Sequence, residues 1–379
     1  MTELVRPQTP GEAPEAMAER PSGRRASQGG TVIDRTSLAG RDYIETADWS
    51  VSEIDEALAV AAELKDRFRR GDPHRLLPDK TLFMLFLDKS TRTRNAFEAG
   101  MTQLGGHAHY LDAEKTQAAH GESPKDMGII LASYGHGIAI RHDLIPYEGN
   151  AYLREVARWA GVPVINLQCD VDHPTQTLAD LMTLRELRGG NLRGMRIAVS
   201  WAYAPSYAKP LSVPQGLATL LPRFGLDVVI AHPPGFDLMP ETRAKAEEAA
   251  RQGGGSVTYT QDMDEAFSGA DVVYPKSWGR LDAFSGESEA LAESAAYRDW
   301  ICDARRMSLA APEALYMHCL PADRGNEVTD EVIDGPQSVV YQEAENRLHT
   351  GKAILALTMA DAPERGRPEH AEGWEATSP

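Results

Sequence analysis

The chain has 379 residues, with 39 Lys and Arg against 56 Asp and Glu, a formal charge of −17 and a pI near 5.1. That length exceeds one ordinary core and implies two domains of roughly 150 residues each, while the charge repels polyanions, excludes nucleic acid and anionic membranes as partners, and leaves any bound anion to a local cluster of cations. Three cysteines without a CxxC pair fit a reducing cytosol, and no apolar run reaches the roughly 18 residues of a membrane span, so a soluble, cytoplasmic protein is expected.

Residues 1–30 are rich in Pro, Gly, Glu and Arg with almost no large apolar side chains, and predict a disordered arm. The stretch "SEIDEALAVAAELKDRF" (52–68) repeats Ile54, Leu58, Ala61 and Leu64 at helical spacing. "TLFMLFL" (81–87) predicts a buried strand, and Phe97, Met101 and Leu104 predict the helix after it. Ser123, with Pro124 and Asp126, forms a helix start with capping-box character. "GIAIR" (137–141) and "VPVINL" (162–167) predict further strands, and Pro174 suits the first turn of a helix. From Met195 a second series follows, with strands "RIAVSW", "DVVIAH", "VTYT", "DVVYP" and "LYMHCL" around the helices "ETRAKAEEAARQ" and "DEAFSGA". Short apolar runs alternating with helices predict an α/β protein with parallel sheets. The domains are expected at 40–188 and 189–339, with a helix over 340–362 crossing back to the first. The tail, 363–379, is expected to be disordered like the arm.

Strand, turn and helix in "FLDKSTRTRNAF" (86–97) put Ser90, Thr91, Arg92, Thr93 and Arg94 at a helix N-terminus, where free N–H groups and the dipole favour an anion. Two guanidinium groups and three hydroxyls could serve the oxygens of one phosphate. The glycines and GK[ST] ending of a nucleotide loop are absent. A solvated, capped helix start is the alternative. Arg94 is the weaker candidate, fit for tying the loop to its own fold, and Lys89 is left open. In "DHPTQTLADL" (172–181), His173 and Gln176 project near the carboxyl end of a strand, where a neutral imidazole can donate to a carbonyl oxygen and an amide can accept from an NH2 group. The alternative for His173 is a satisfied packing residue. In "YMHCLPAD" (316–323), His318 and Cys319 point to opposite faces if the strand continues through them, which rules out a dyad. A strand ending at Leu320 and Pro321 leaves carbonyls to accept from an amine. Arg347 in "EAENRLH" (343–349) offers a third guanidinium from the last helix.

With "STRTR", "HPTQ", "HCLP" and "ENRLH" in this order, residues 40–360 resemble the aspartate and ornithine transcarbamylases, and "HCLP" favours the ornithine side. The resemblance implies a homotrimeric two-domain α/β enzyme with no metal or cofactor, transferring the carbamoyl group of carbamoyl phosphate to an amine. Ser90, Thr91, Arg92 and Thr93 would hold the phosphate, Arg141, His173 and Gln176 the carbamoyl group, and Arg347 would close from the other domain. His318, Cys319 and Leu320 would meet the acceptor. "KTQAAHGES" resembles the loop that enters a neighbouring subunit's site, with Gln117 at its head; a plain surface loop is the alternative.

Two departures bear on the acceptor. Where the ornithine enzymes resemble one another in an aspartate of a "TDVW" segment, this chain has "DVVYPKSWGR" (271–280), so Lys276 replaces the carboxylate and Trp278 adds a flat surface. A free α-ammonium loses its counter-charge there, which favours an anionic, acylated or missing α-amine. The proline-rich "SWAYAPSYAKPLSVPQG" (200–216) resembles the loop of the knotted N-acetylornithine and N-succinylornithine enzymes, and most of all the YgeW-like group, and implies a trefoil knot. Ornithine carbamoyl transfer itself, and a non-catalytic subunit that binds carbamoyl phosphate to regulate a partner, remain the rival readings.

Overall fold

The computed structural model describes residues 38–143, 145–205, 209–282 and 293–360; the arm at 1–30 and the tail at 363–379 lie outside them. Two sheets, parallel throughout, organise these residues. In the first, β1 (Thr81–Phe86), β2 (His107–Asp112), β3 (Gly137–His142) and β4 (Val164–Cys169) lie in the order β2-β1-β3-β4. In the second, β5 (Arg196–Trp201), β6 (Asp227–Ala231), β7 (Ser256–Thr260), β8 (Val272–Lys276) and β9 (Leu315–Tyr316) lie in the order β7-β6-β5-β8-β9. Parallel strands with helices on both faces must be apolar on both faces, and β4 and β8 are buried along their whole length.

The helices start and stop where their sequences dictate. Helix α1 (Val51–Arg70) opens on a reciprocal capping box between Ser50 and Glu53 and ends at Gly71, whose φ of 71° closes the last turn. Helix α2 is Arg92–Gln103, and α3 (Pro124–Tyr134) begins at Ser123, whose hydroxyl accepts the Asp126 N–H at 3.1 Å. Helices α4 (Gly149–Trp159), α5 (Pro174–Arg188), α6 (Ser212–Leu220), α7 (Pro240–Gly253) and α8 (Met263–Phe267) follow. The C-terminal helix, Val340–Met359, packs against α1, α2 and α5 and is buried on nearly all sides. There Lys65 of α1 bonds Glu186 of α5 at 2.8 Å and Asn346 of the C-terminal helix at 2.6 Å. No described helix is long and apolar enough to cross a membrane.

The expected strand through "LYMHCL" is a two-residue strand, Leu315–Tyr316. Residues 317–321 leave the sheet as a loop, with Leu320 at φ 54° and a cis peptide to Pro321, so the opposite-face reasoning for His318 and Cys319 does not hold.

Candidate active site

The carboxyl ends of β1, β3 and β4 in one sheet face those of β5 and β8 in the other across a cleft of about 300 Å³. This is where open α/β sheets bind ligands, since the loops that follow the strands converge there. Ser90, Thr91, Arg92 and Thr93 line it from the turn after β1 and the first turn of α2, together with Arg141, His173, Gln176, Lys276, Cys319, Leu320 and Arg347.

The cations are held apart by the fold. Arg141, at the end of β3, makes a two-pronged bond to Asp143 at 3.0 and 2.8 Å. Burial pushes that carboxyl up to about 7, and the guanidinium pulls it back. Arg347 reaches in from the C-terminal helix, donating through Nη2 to the Thr93 hydroxyl and to Nε2 of His173, the latter at 3.3 Å. Its own pKa is lowered to about 10, by burial and then by Arg92. An arginine only donates, so His173 Nε2 must be an acceptor and the ring neutral. Burial and then the charges of Arg347, Arg141, Lys276 and Arg92 press the His173 pKa well below its usual value, in agreement. Gln176 is fixed just as tightly. Its Nε2 donates to Asp180 at 2.8 Å and to Glu343 at 2.9 Å, while its buried Oε1 has no partner.

On the second sheet, Lys276 ends β8 and is buried. Its ammonium donates to the Ser277 and Pro210 carbonyls at 2.7 and 3.2 Å, and no ion pair joins it to a described carboxylate. Burial lowers its pKa. Beside it Lys209, with Pro210, lines the cleft and pairs with Glu327 at 2.7 Å. Burial alone would raise the Glu327 pKa, but His318 and Lys209 hold it low, and it also accepts the Ser277 N–H at 2.6 Å. Gln168 of β4 donates to Ser212 of α6 at 2.9 Å, tying the two sides together.

Three expected residues do not line the cleft. Trp278 is 1% exposed and donates from Nε1 to the Phe236 carbonyl at 2.8 Å, a core role. His318 sits behind the wall, its Nδ1 accepting the Leu320 N–H at 2.9 Å. Gln117 lies in the single-turn helix Gln117–His120. Arg94 pairs with Glu98 at 3.0 Å and stacks on Tyr110, anchoring its own helix, whereas Lys89 does line the cleft. Lys209 and Gln168 were missed by sequence reasoning. For Lys209 the signal was available, a lysine inside the quoted proline-rich segment; a glutamine within an apolar strand gives none.

Two parallel-sheet domains with cations gathered between their carboxyl ends define a two-domain α/β protein built to hold a small anion. Family models described as aspartate/ornithine carbamoyltransferase match it twice, the carbamoyl-P binding domain at residues 41–186 and the Asp/Orn binding domain at 211–358. The chain is 39% identical to the YgeW protein of Escherichia coli (strain K12), over 81% of this chain and 87% of that one. It is 38% identical to the structure of ornithine carbamoyltransferase from Pyrococcus furiosus, with a TM-score of 0.78 over 86% of this chain and 99% of that one. A structure of acetylornithine transcarbamylase complexed with acetylcitrulline has a TM-score of 0.77 at 32% identity, over 84% and 99% of the two chains. The chain belongs to the aspartate/ornithine carbamoyltransferase family and is a carbamoyltransferase.

Proposed function

We propose that the protein transfers the carbamoyl group of carbamoyl phosphate to a small amino-acid-like amine other than free L-ornithine. The phosphate lies at the start of α2, against Ser90, Thr91, Arg92 and Thr93, where helix N–H groups, hydroxyls and a guanidinium converge. The observation that carries this reading is Gln176. With both amide hydrogens committed to carboxyl groups, its free Oε1 is an acceptor only, matched to the NH2 of a carbamoyl group and mismatched to a third phosphate or carboxylate oxygen. The neutral amine attacks the carbonyl carbon, the C–N bond forms, the C–O bond to phosphate breaks with its electron pair leaving on phosphate, and the surplus proton of the amine passes to the departing phosphate. Arg92, Thr93, Arg141 and His173 stabilise the charge that grows on the carbonyl oxygen. For His173 to donate there from Nε2, Arg347 must release that nitrogen to bond the substrate, and the neutral ring must move its proton from Nδ1 to Nε2.

Lys276 supports the choice of acceptor. A buried ammonium bonded only to carbonyls favours an anionic or acylated group over a second ammonium. The same reading makes the carbamoyl-phosphate domain 40–188 and the acceptor domain 189–339, with a helix over 340–362. It takes the enzyme to be a cytoplasmic homotrimer in which Gln117 serves a neighbour's site, since Gln117 stands outside its own chain's cleft. It also includes the trefoil knot. In support, the connection after β5 is sewn into later segments, with Tyr203 N–H on the Trp300 carbonyl at 2.8 Å, Gly279 N–H on that of Lys209 at 2.8 Å, and Lys209 on Glu327.

The test is formation of ureido products from carbamoyl phosphate and a panel of diamines, N-acylated ornithines, 2,3-diaminopropionate and ornithine. Turnover of an acylated or anionic acceptor above ornithine is expected. Robust turnover of ornithine alone overturns the acceptor assignment, and tight carbamoyl-phosphate binding with no turnover of any amine makes the chain a regulatory binder.

A further inference from the structure

Behind Gln176 lies a buried acid, Glu343 on the C-terminal helix, that touches no part of the cleft surface yet receives hydrogen bonds from three separate elements. Its Oε1 accepts from Gln176 Nε2 of α5 at 2.9 Å and from the Tyr274 hydroxyl of β8 at 3.1 Å, and its Oε2 accepts the His318 N–H, in the loop after β9, at 2.9 Å. We propose that Glu343 is a positioning residue that fixes which end of the Gln176 amide faces the cleft, and so makes the site select an electrophile bearing NH2 over one bearing a third anionic oxygen.

An amide side chain is nearly symmetric in shape, so its orientation is set by its neighbours. With Oε1 turned inward, Gln176 would set an oxygen against Glu343 and Asp180, and both of its hydrogens would face the guanidinium-rich cleft. In the observed orientation all donors meet acceptors. Both Glu343 oxygens face donors, so a glutamine at this position places an NH2 against at least one of them, whichever way it turns. Asp180 supplies the second acceptor for Gln176 at 2.8 Å. Burial, and then the charge of Glu343, raises the Asp180 pKa well above its usual value. The same burial raises Glu343 to about 7, opposed by the His318 N–H, Asp180, Tyr274 and Arg347. Glu343 and Asp180 thus set two acceptor oxygens behind Gln176, in a place where they orient it without touching substrate.

The consequence reaches the acceptor side as well. Because Tyr274 precedes Lys276 by two residues on β8, and His318 precedes Cys319 of the cleft wall, Glu343 also holds the acceptor wall against the carbamoyl wall.

This inference rests on the carbamoyl-transfer reading, and its test does not require turnover. Kd values for phosphonoacetamide, phosphonoacetate and inorganic phosphate are measured by calorimetry for the full chain and for Glu343→Gln. The ratio of the phosphonoacetate to the phosphonoacetamide Kd should fall about tenfold in the variant, with inorganic phosphate within about twofold of the parent, a tenfold ratio corresponding to ~1.4 kcal/mol. An unchanged ratio overturns the positioning role. If Glu343→Gln fails to bind inorganic phosphate, Glu343→Asp carries the test: it keeps the charge but draws it back from Gln176, and a lower ratio is again expected and an unchanged one again overturns the proposal. A parent chain that binds none of the three ligands instead overturns the carbamoyl-phosphate reading itself.

Discussion

Arg347 Nη2 lies 3.3 Å from His173 Nε2 and also donates to Thr93 Oγ1, so one guanidinium joins the starts of α2 and α5 to the C-terminal helix. These residues are far apart in the chain, and meet because the last helix packs back across α1, α2 and α5. The contact fixes the histidine as neutral, since no donor could approach a protonated Nε2.

Removing that guanidinium should therefore act on both the anion and the imidazole. Arg347→Ala is expected to lower kcat/KM by a factor on the order of 10² to 10³, equivalent to ~3–4 kcal/mol of transition-state stabilisation. The His173 pKa should rise, because the charge that ranks next after burial in depressing it is gone. It should remain below the ordinary value, since burial persists. NMR titration of the ring reads this directly, and a histidine pKa unmoved by the substitution would show that Arg347 does not set its charge state.

Lys276→Met separates the two halves of the cleft. The ammonium is buried on backbone carbonyls without a carboxylate partner, so its loss removes a favourable site for an acceptor anion and also an unpaired buried charge. KM for the acceptor should rise tenfold or more while the carbamoyl-phosphate affinity stays within about twofold, and the thermal midpoint should not fall. Equal losses for both substrates would show that Lys276 serves the whole cleft.

Much of this arrangement was legible in the sequence because its parts are local. "FLDKSTRTRNAF" reads as strand, turn and helix start, and its hydroxyls and Arg92 line the cleft while Arg94 turns away to Glu98 and Tyr110. The strand His107–Asp112 escaped notice because an edge strand with one wet face, "HAHYLD", lacks the apolar run that marks its neighbours. Trp278 could not be placed by type: an indole beside a strand end suits a binding wall or a core equally, and only the Phe236 carbonyl, supplied by a distant loop, draws it inward. Likewise, Glu343 reads as a helix-surface charge until three distant donors are brought to it by the tertiary fold.

The buried Lys352 gives a test of stability rather than catalysis. Its ammonium meets only neutral acceptors, Gln103 Oε1 at 2.9 Å, His74 Nε2 at 3.1 Å and the Leu64 carbonyl at 3.5 Å, and burial lowers its pKa to about 8. The folded chain thus releases the proton about two units before the unfolded chain does, near 10.4. Between those values the unfolded state binds more protons, so stability rises with pH; below about 8 the folded state bears the full cost of the buried charge. Lys352→Met should raise the thermal midpoint at pH 7, and the gain should shrink as pH climbs from about 8 to 10. A lower midpoint at pH 7 would mean that the three hydrogen bonds outweigh desolvation.

Gly216 connects packing to the position of His173. A Cβ built there would lie 2.3 Å from Asp172 Oδ1 and 2.7 Å from Thr177 Cγ2, far inside contact distance. Asp172 has little room to retreat, because its other oxygen accepts the Thr46 N–H at 2.8 Å and the Thr46 hydroxyl at 2.9 Å. Thr177 belongs to the first turn of α5, and its N–H is bonded to the His173 carbonyl at 3.1 Å. In an open helix, alanine for glycine would add up to about 1 kcal/mol. Here overpacking costs about 1–3 kcal/mol and pushes on the segment 172–177 that carries His173 and Gln176. Gly216→Ala should therefore lower the thermal midpoint and reduce kcat, through small displacements of oriented groups, more than it raises KM for carbamoyl phosphate. A higher midpoint with unchanged kcat would show that α6 can move away from α5 without disturbing the catalytic wall.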